Sequence, residues 1–186
     1  KCSEHLSLLA APSMLDRAYD LERGSFQPVL EVLQRSAPVT VLDVPHAWSE
    51  WTRTLLSEVD ELIITAVPDL ANLRNAKNML DALKKLRPND KPPHLILNQV
   101  GMPKRPEIST SDFCEPLETD PVAIVTFDPQ LFGNAANSGR MISEIDARSP
   151  TAETFSQLAH IVTGRASVKK PKKGGLGKVL GLLGRK

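Results

Sequence analysis

Asp43 closes the run Val39-Thr40-Val41-Leu42-Asp43-Val44-Pro45, in which β-branched and aliphatic residues lead to one carboxylate. Pro45 stops the strand immediately afterwards. A carboxylate at the carboxyl edge of a buried parallel strand is where α/β nucleotide-binding proteins place the Walker B acid. That acid orders water on a phosphate-bound magnesium, an ion that keeps much of its hydration. The alternative is a turn residue that only caps a strand end. Nothing upstream of Asp43 has the glycine-rich, lysine-bearing pattern of a phosphate cradle. The chemistry therefore points to a nucleotide switch represented without its phosphate loop.

Such a carboxylate needs a sheet to hold it. Five apolar runs read as strands: Leu6–Ala11, Val39–Val44, Glu61–Val67, His94–Val100 and Val122–Phe127. Each is nearly continuous, as expected of parallel strands covered on both faces. Helical patterns lie between several of them. Phe26, Val29, Leu30 and Leu33 recur at helical spacing, and Leu70, Leu73, Ala76, Leu80 and Leu83 line one face of Asp69–Leu86. Asp69 suits the cap of that helix, and Arg87-Pro88 ends it. A last helix is expected over Thr151–Thr163, after the start signal Ser149-Pro150. Strands alternating with helices imply a doubly wound α/β sheet. Fifteen prolines, many at strand ends or in Lys91–Pro106, punctuate the connections.

A chain of 186 residues with 41% hydrophobic residues is long enough for one domain with a sizeable core. No run of about 20 apolar residues suggests a transmembrane helix, and no signal peptide is visible. Lys1 is not a natural initiator, so the chain is expected to start inside a longer product. Cys2 and Cys114 have no metal or redox spacing, which fits a reducing, cytoplasmic compartment. The net charge of +1 hides a division. Residues 165–186 hold eight basic residues and no acid, leaving 15 basic against 22 acidic residues in 1–164. An acidic body disfavours nucleic acid as a partner, and a basic tail has an electrostatic role of its own.

Four segments in order carry a resemblance: Leu42-Asp43-Val44-Pro45-His46-Ala47-Trp48, Pro68-Asp69-Leu70-Ala71-Asn72-Leu73-Arg74-Asn75-Ala76-Lys77, Leu97-Asn98-Gln99-Val100, and Phe127-Asp128-Pro129-Gln130-Leu131-Phe132-Gly133-Asn134-Ala135-Ala136-Asn137. Together they resemble the C-terminal two-thirds of a CpaE/TadZ-type pilus-assembly protein, in the ParA/MinD branch of P-loop ATPases. The resemblance covers roughly residues 5–164 and rests on order and spacing, since each motif alone is weak. It implies an α/β fold: a partial doubly wound, mostly parallel P-loop NTPase sheet missing its N-terminal strands. On this reading, residues 1–164 are the C-terminal part of the ATPase domain and residues 165–186 are a basic, leucine-containing tail. The family's role is assembly and localisation of the Tad/Flp (type IVb) pilus machinery, peripheral to the bacterial inner membrane and often at a pole.

The resemblance also implies a homodimer that sandwiches ATP with Mg2+, and contacts with pilus secretion components. The family's deviant Walker A loop and switch I Asp would lie before Lys1, so this chain alone is expected to bind neither cofactor and to be inactive. Asp43 would be the Walker B acid. Pro45, His46 and Trp48 would belong to switch II, where Trp48 and Trp51 either share one face of the next helix or simply pack beneath it. His46 receives no acid–base role. Asn98 sits where family members read the adenine edge, for which an amide offers both a donor and an acceptor. The other reading of Asn98 is a strand-end turn. Asp128 and Pro129 resemble the loop lining the base pocket. Asn72, Arg74, Asn75 and Lys77 would meet a partner subunit or form a solvated helix face.

The tail contains Lys173-Gly174-Gly175-Leu176-Gly177-Lys178-Val179, close to the deviant Walker A pattern. Val179 stands where a magnesium-binding hydroxyl is required, and no strand precedes it, so it is not a nucleotide site. Leu176, Val179, Leu180 and Leu183 instead repeat at helical spacing, with Lys178 among them. Each basic residue near an anionic leaflet contributes roughly 1 kcal/mol, and the leucines add shallow burial. Five glycines between 174 and 184 oppose helix formation by about 1 kcal/mol each relative to alanine. The tail is expected to fold on inner-membrane anionic lipids, as the C-terminal helix of MinD-like proteins does, the alternative being a disordered basic end. Two functions remain: a nucleotide-gated assembly ATPase in the full-length form, or a non-catalytic polar-localisation scaffold. A sheet lacking its central strand would leave the isolated chain marginally stable or aggregation-prone.

Overall fold

The computed structural model describes residues 4–10, 24–44 and 48–165. They divide into two compact units, Lys1–Thr54 and Leu55–Lys186, and the division falls within one helix. In the first unit, helix α1 spans Gln27–Ser36, with a proline in its first turn. Helix α2, Glu50–Glu58, begins after Ser49, whose Oγ accepts from the Thr52 N–H at 3.1 Å. Phe26 meets Trp51 with ring centroids 5.0 Å apart.

Two expected strands do not form. Among the described residues, neither 6–10 nor 39–44 is assigned to a strand. The reason lies outside the local pattern. An extended segment becomes a strand only when a neighbour accepts and donates its ladder of hydrogen bonds. No described segment pairs with 39–44, and Val39 and Val41 stand 55% and 84% exposed.

The second unit holds a three-stranded sheet in the order β1-β2-β3, where β1 is Ile63–Ala66, β2 is His94–Val100 and β3 is Ala123–Thr126. Both pairings are parallel: Ile64 lies opposite Leu95, and Ile96 opposite Ala123. Helix α3, Leu70–Leu86, connects β1 to β2. The short helix α4, Thr110–Cys114, and a 3-10 turn over Glu115–Leu117 connect β2 to β3. Then follow α5 (Pro129–Ser138), α6 (Ile142–Ile145) and α7 (Pro150–Val162). Ser149 caps α7 by accepting from the Ala152 N–H at 3.2 Å.

The helices cover the sheet unevenly. On one face, Ile64, Ala66, Leu95 and Leu97 pack with Ala76, Leu83, Phe113 and Leu117. On the other, Ile96, Ala123 and Val125 meet Phe132 and Leu158. Only β2 is covered on both sides along its centre, where Leu95, Ile96 and Leu97 are all buried. The expectation of two-sided cover holds there and fails at the flanking strands. Burial alternates along β1 and β3, leaving Ile63 and Ile124 exposed. Among the described residues β1 pairs only with β2, so its other edge presents the open backbone groups that attract foreign strands.

The alternation gives a stability test. Leu97→Ala should lower the free energy of unfolding by about 2–5 kcal/mol, whereas the half-exposed Ile124→Ala should cost far less. Urea unfolding followed by circular dichroism checks this, and equal losses at the two positions would contradict the burial pattern.

Candidate nucleotide-base edge

The carboxyl ends of three parallel strands meet at one edge of the sheet, and three loops leave from there. After β1, Pro68 is buried and Asp69 caps α3. Its Oδ1 accepts from the Asn72 N–H at 2.7 Å and from Asn72 Nδ2 at 2.9 Å. These donors, chiefly the backbone N–H, hold the Asp69 carboxyl below its ordinary pKa, and the Arg105 charge adds to the effect. After β3, Asp128 caps α5, its Oδ1 accepting from the Leu131 N–H at 2.9 Å, with Pro129 as the first helical residue.

The end of β2 is more elaborate. Between Leu97 and Val100 the pairing with β3 shifts register: Leu97 faces Ile124 and Val100 faces Thr126. β2 thus carries one residue more than its partner, a bulge that contains Asn98 and Gln99. Gln99 takes a left-handed conformation, φ 55°, and its N–H donates to Asn98 Oδ1 at 2.9 Å. The loop then returns through Arg105 and Glu107. The Glu107 carboxylate accepts from the N–H groups of Gly101 and Met102 at 3.0–3.1 Å. The Gly101 N–H, followed by Arg105, lowers its pKa. Ile108 N–H donates to the Pro68 carbonyl, and Phe127 N–H to the Val100 carbonyl, tying the three strand ends together.

Asn98, Asp128 and Pro129 therefore share the carboxyl edge, which is where open parallel sheets bind ligands. The Asp128 carboxylate is engaged in capping. Among the α3 residues considered for a partner contact, Asn72 serves the Asp69 cap and Lys77 pairs with Asp81 at 3.2 Å. Arg74 and Asn75 are exposed.

Asp43 belongs to the first unit and lies exposed on an extended segment that pairs with no strand, a correction to the buried strand end expected for it. Trp48 precedes α2 and is 45% exposed, while Trp51 packs on Phe26, so the two do not form one helix face. Pro45 and His46 lie outside the described residues, as do Leu176, Lys178, Val179, Leu180 and Leu183. Among the described residues no group of three or more His, Cys, Asp or Glu side chains is placed to hold a metal ion. No helix among them is long and apolar enough to cross a membrane. Sequence reasoning missed Gln99, Arg105 and Glu107. The signal available was an Arg and a Glu flanking Pro106 in a Gly- and Pro-containing loop just after a strand-end Asn.

A parallel sheet with helices on both faces and its loops gathered at the carboxyl edge is a doubly wound α/β architecture. No family model matches the chain. In sequence it is 20% identical over 141 residues to the septum site-determining protein MinD of Bacillus subtilis, an alignment covering 74% of this chain and 52% of MinD. In structure it is similar to a ParA family ATPase from Chlorobium tepidum, with a TM-score of 0.71, 19% identity and coverage of 84% of this chain and 64% of the other. A chain of the MinC:MinD cell division protein complex of Aquifex aeolicus superposes with a TM-score of 0.65 and 19% identity, over 81% of this chain and 62% of that one. The chain thus spans about half the length of the curated relative it matches.

The Asp69 cap yields a prediction with a definite pH sign. Asp69→Ala should destabilise the chain by about 1 kcal/mol at pH 7, and Asp69→Asn by much less. The folded-state pKa is lowered, so the carboxylate's contribution is complete above the ordinary Asp value of about 4. It fades as pH falls below that value toward the folded pKa. Urea midpoints of wild type and Asp69→Ala should converge on acidification, and a constant gap down to pH 2 would contradict the assignment.

Proposed function

We propose that these residues are part of a CpaE/TadZ-type protein, a nucleotide-gated assembly and localisation ATPase of the Tad/Flp (type IVb) pilus. The observation that carries the reading is the placing of Asn98 and Asp128-Pro129 together on the carboxyl edge of a ParA/MinD-type sheet. Their order in sequence, after the Pro68–Lys77 segment, resembles the family pattern. Asn98 fits an adenine edge, because an amide supplies one donor and one acceptor on neighbouring atoms. ATP, when bound, would supply the free energy for gating a dimer. This chain's part is to read the base with Asn98 and to shape its pocket with Asp128 and Pro129. Asp43 would meet Mg2+ through water, with Pro45, His46 and Trp48 as the adjoining switch. The tail residues Leu176, Lys178, Val179, Leu180 and Leu183 would dock on anionic lipid of the inner membrane, and the partners would be a second copy and pilus secretion components.

One feature favours a second reading for these 186 residues taken alone. The glycine-rich tail segment has Val179 in place of the hydroxyl that a phosphate loop needs. Without a cradle, the same edge and tail act as a non-catalytic scaffold that binds membrane and secretion components at the cell pole.

Deleting the coding region in its host should abolish pilus filaments on electron micrographs, and a fluorescent fusion should collect at the inner membrane. Asn98→Ala in the full-length protein separates the readings. Loss of pili with the protein still localised supports the ATPase; full piliation with Asn98→Ala supports the scaffold. Normal pili after complete deletion would contradict both.

A further inference from the structure

We propose that Arg105 is the positioning residue that fixes the polarity of the Asn98 amide and so makes the site select a 6-amino purine over a 6-oxo purine. This deepens, and rests on, the reading of Asn98 as the base-reading residue.

A left-handed backbone at a residue with a Cβ is disfavoured and persists only where surrounding contacts hold it. At Gln99 the holder is a single guanidinium. Arg105 Nη1 donates to Gln99 Oε1 at 3.1 Å, and Nη2 donates to the Gln99 carbonyl oxygen. Nη2 also donates to Glu107 Oε1 at 2.9 Å, and Glu107 is itself anchored by the Gly101 and Met102 N–H groups. The fork is thus fixed from behind and grips Gln99 by both its side chain and its backbone. Arg105 Nε is buried with no partner, so the guanidinium is held by this geometry even though one of its donors goes unused.

The consequence falls on the neighbouring residue. With Gln99 held, its N–H points at the Asn98 side chain, and only the oxygen of that amide can accept it. Oδ1 and Nδ2 therefore have assigned places. An incoming purine meets a fixed order of one acceptor and one donor. That order complements the exocyclic amine and N7 of adenine. A 6-oxo purine would set its carbonyl against Oδ1, two acceptors facing each other. An amide free to rotate would accept either base by exchanging its ends.

The test uses 15N-labelled chain and solution NMR, with adenosine and inosine titrated to millimolar concentration; the two nucleosides share ribose and N7 and differ in the 6-substituent and the proton on N1. In wild type, the Asn98 Nδ2 resonances should be ordered by heteronuclear NOE and should shift with adenosine at least about tenfold more readily than with inosine. In Arg105→Met, which keeps the aliphatic stem, that NOE should fall and the adenosine preference should drop towards one. Resonances of Leu97 and Val125 should stay in place, showing an intact sheet. Glu107→Gln, which loosens the fork without removing it, should move both readouts part of the way, and Arg105→Lys should not restore them. An Asn98 amide equally ordered in Arg105→Met, with unchanged preference and the sheet intact, overturns the positioning role. If neither nucleoside perturbs Asn98 in wild type, the base-reading assignment fails and the selectivity proposal with it; the NOE comparison still reports separately whether Arg105 orders the amide.

Discussion

The burial of β2 on both faces is the constraint from which the rest of the described unit follows. Leu95 and Leu97 point into one core and Ile96 into the other, so this strand cannot slip by a residue without inverting its contacts. With β2 fixed, parallel pairing aligns the ends of β1 and β3 beside its own end. Each parallel strand then has to be followed by a crossover, and the crossover loops all leave from the same edge. Asp69 and Asp128 cap the helices that begin there. The candidate site is therefore a by-product of sheet registration, and its chemistry is added by the loop between Asn98 and Glu107.

That loop departs from regular structure in a directed way. A bulge costs ladder hydrogen bonds and a left-handed glutamine costs about 1–3 kcal/mol, yet both are compensated by a compact polar network. Arg105, Glu107 and the N–H groups of Gly101 and Met102 satisfy one another, and the Ile108 N–H fastens the end of the loop to Pro68. Polar groups spent on holding a backbone in an unfavoured conformation beside a strand-end Asn are what a recognition site requires and what packing alone does not. The flanking strands tell the complementary story. Ile63 and Ile124 are exposed because each edge strand has helix cover on one face only.

The sequence made some of this legible and left the rest hidden, for physical reasons. His94–Val100 reads as a strand because a strand buried on both faces is apolar throughout its centre, and its observed limits agree. Asp69 as a cap and the helix after it follow from short-range rules, as does the start of α7 at Ser149-Pro150. Val39–Val44 has the same apolar character as β2, but strand formation depends on a partner that local pattern does not contain. Asn98 was visible as a strand-end amide. Gln99, Arg105 and Glu107 were not, because their roles arise from a backbone conformation, and nothing in Met102–Glu107 announces which carbonyl the arginine reaches. The similarity to ParA/MinD-type ATPases fixes the fold, while the pilus assignment stands on the order of four motifs.

On the function proposed, these 186 residues carry the base-reading edge of a nucleotide switch but not the cradle for its phosphates. Calorimetric titration of Mg-ATP into the chain at tens of micromolar tests this most directly. No saturable heat is expected, since one strand-end amide gives only weak contact with the base. Micromolar binding that is lost in Asp43→Ala would contradict it, and would mean that the chain holds a phosphate site of its own.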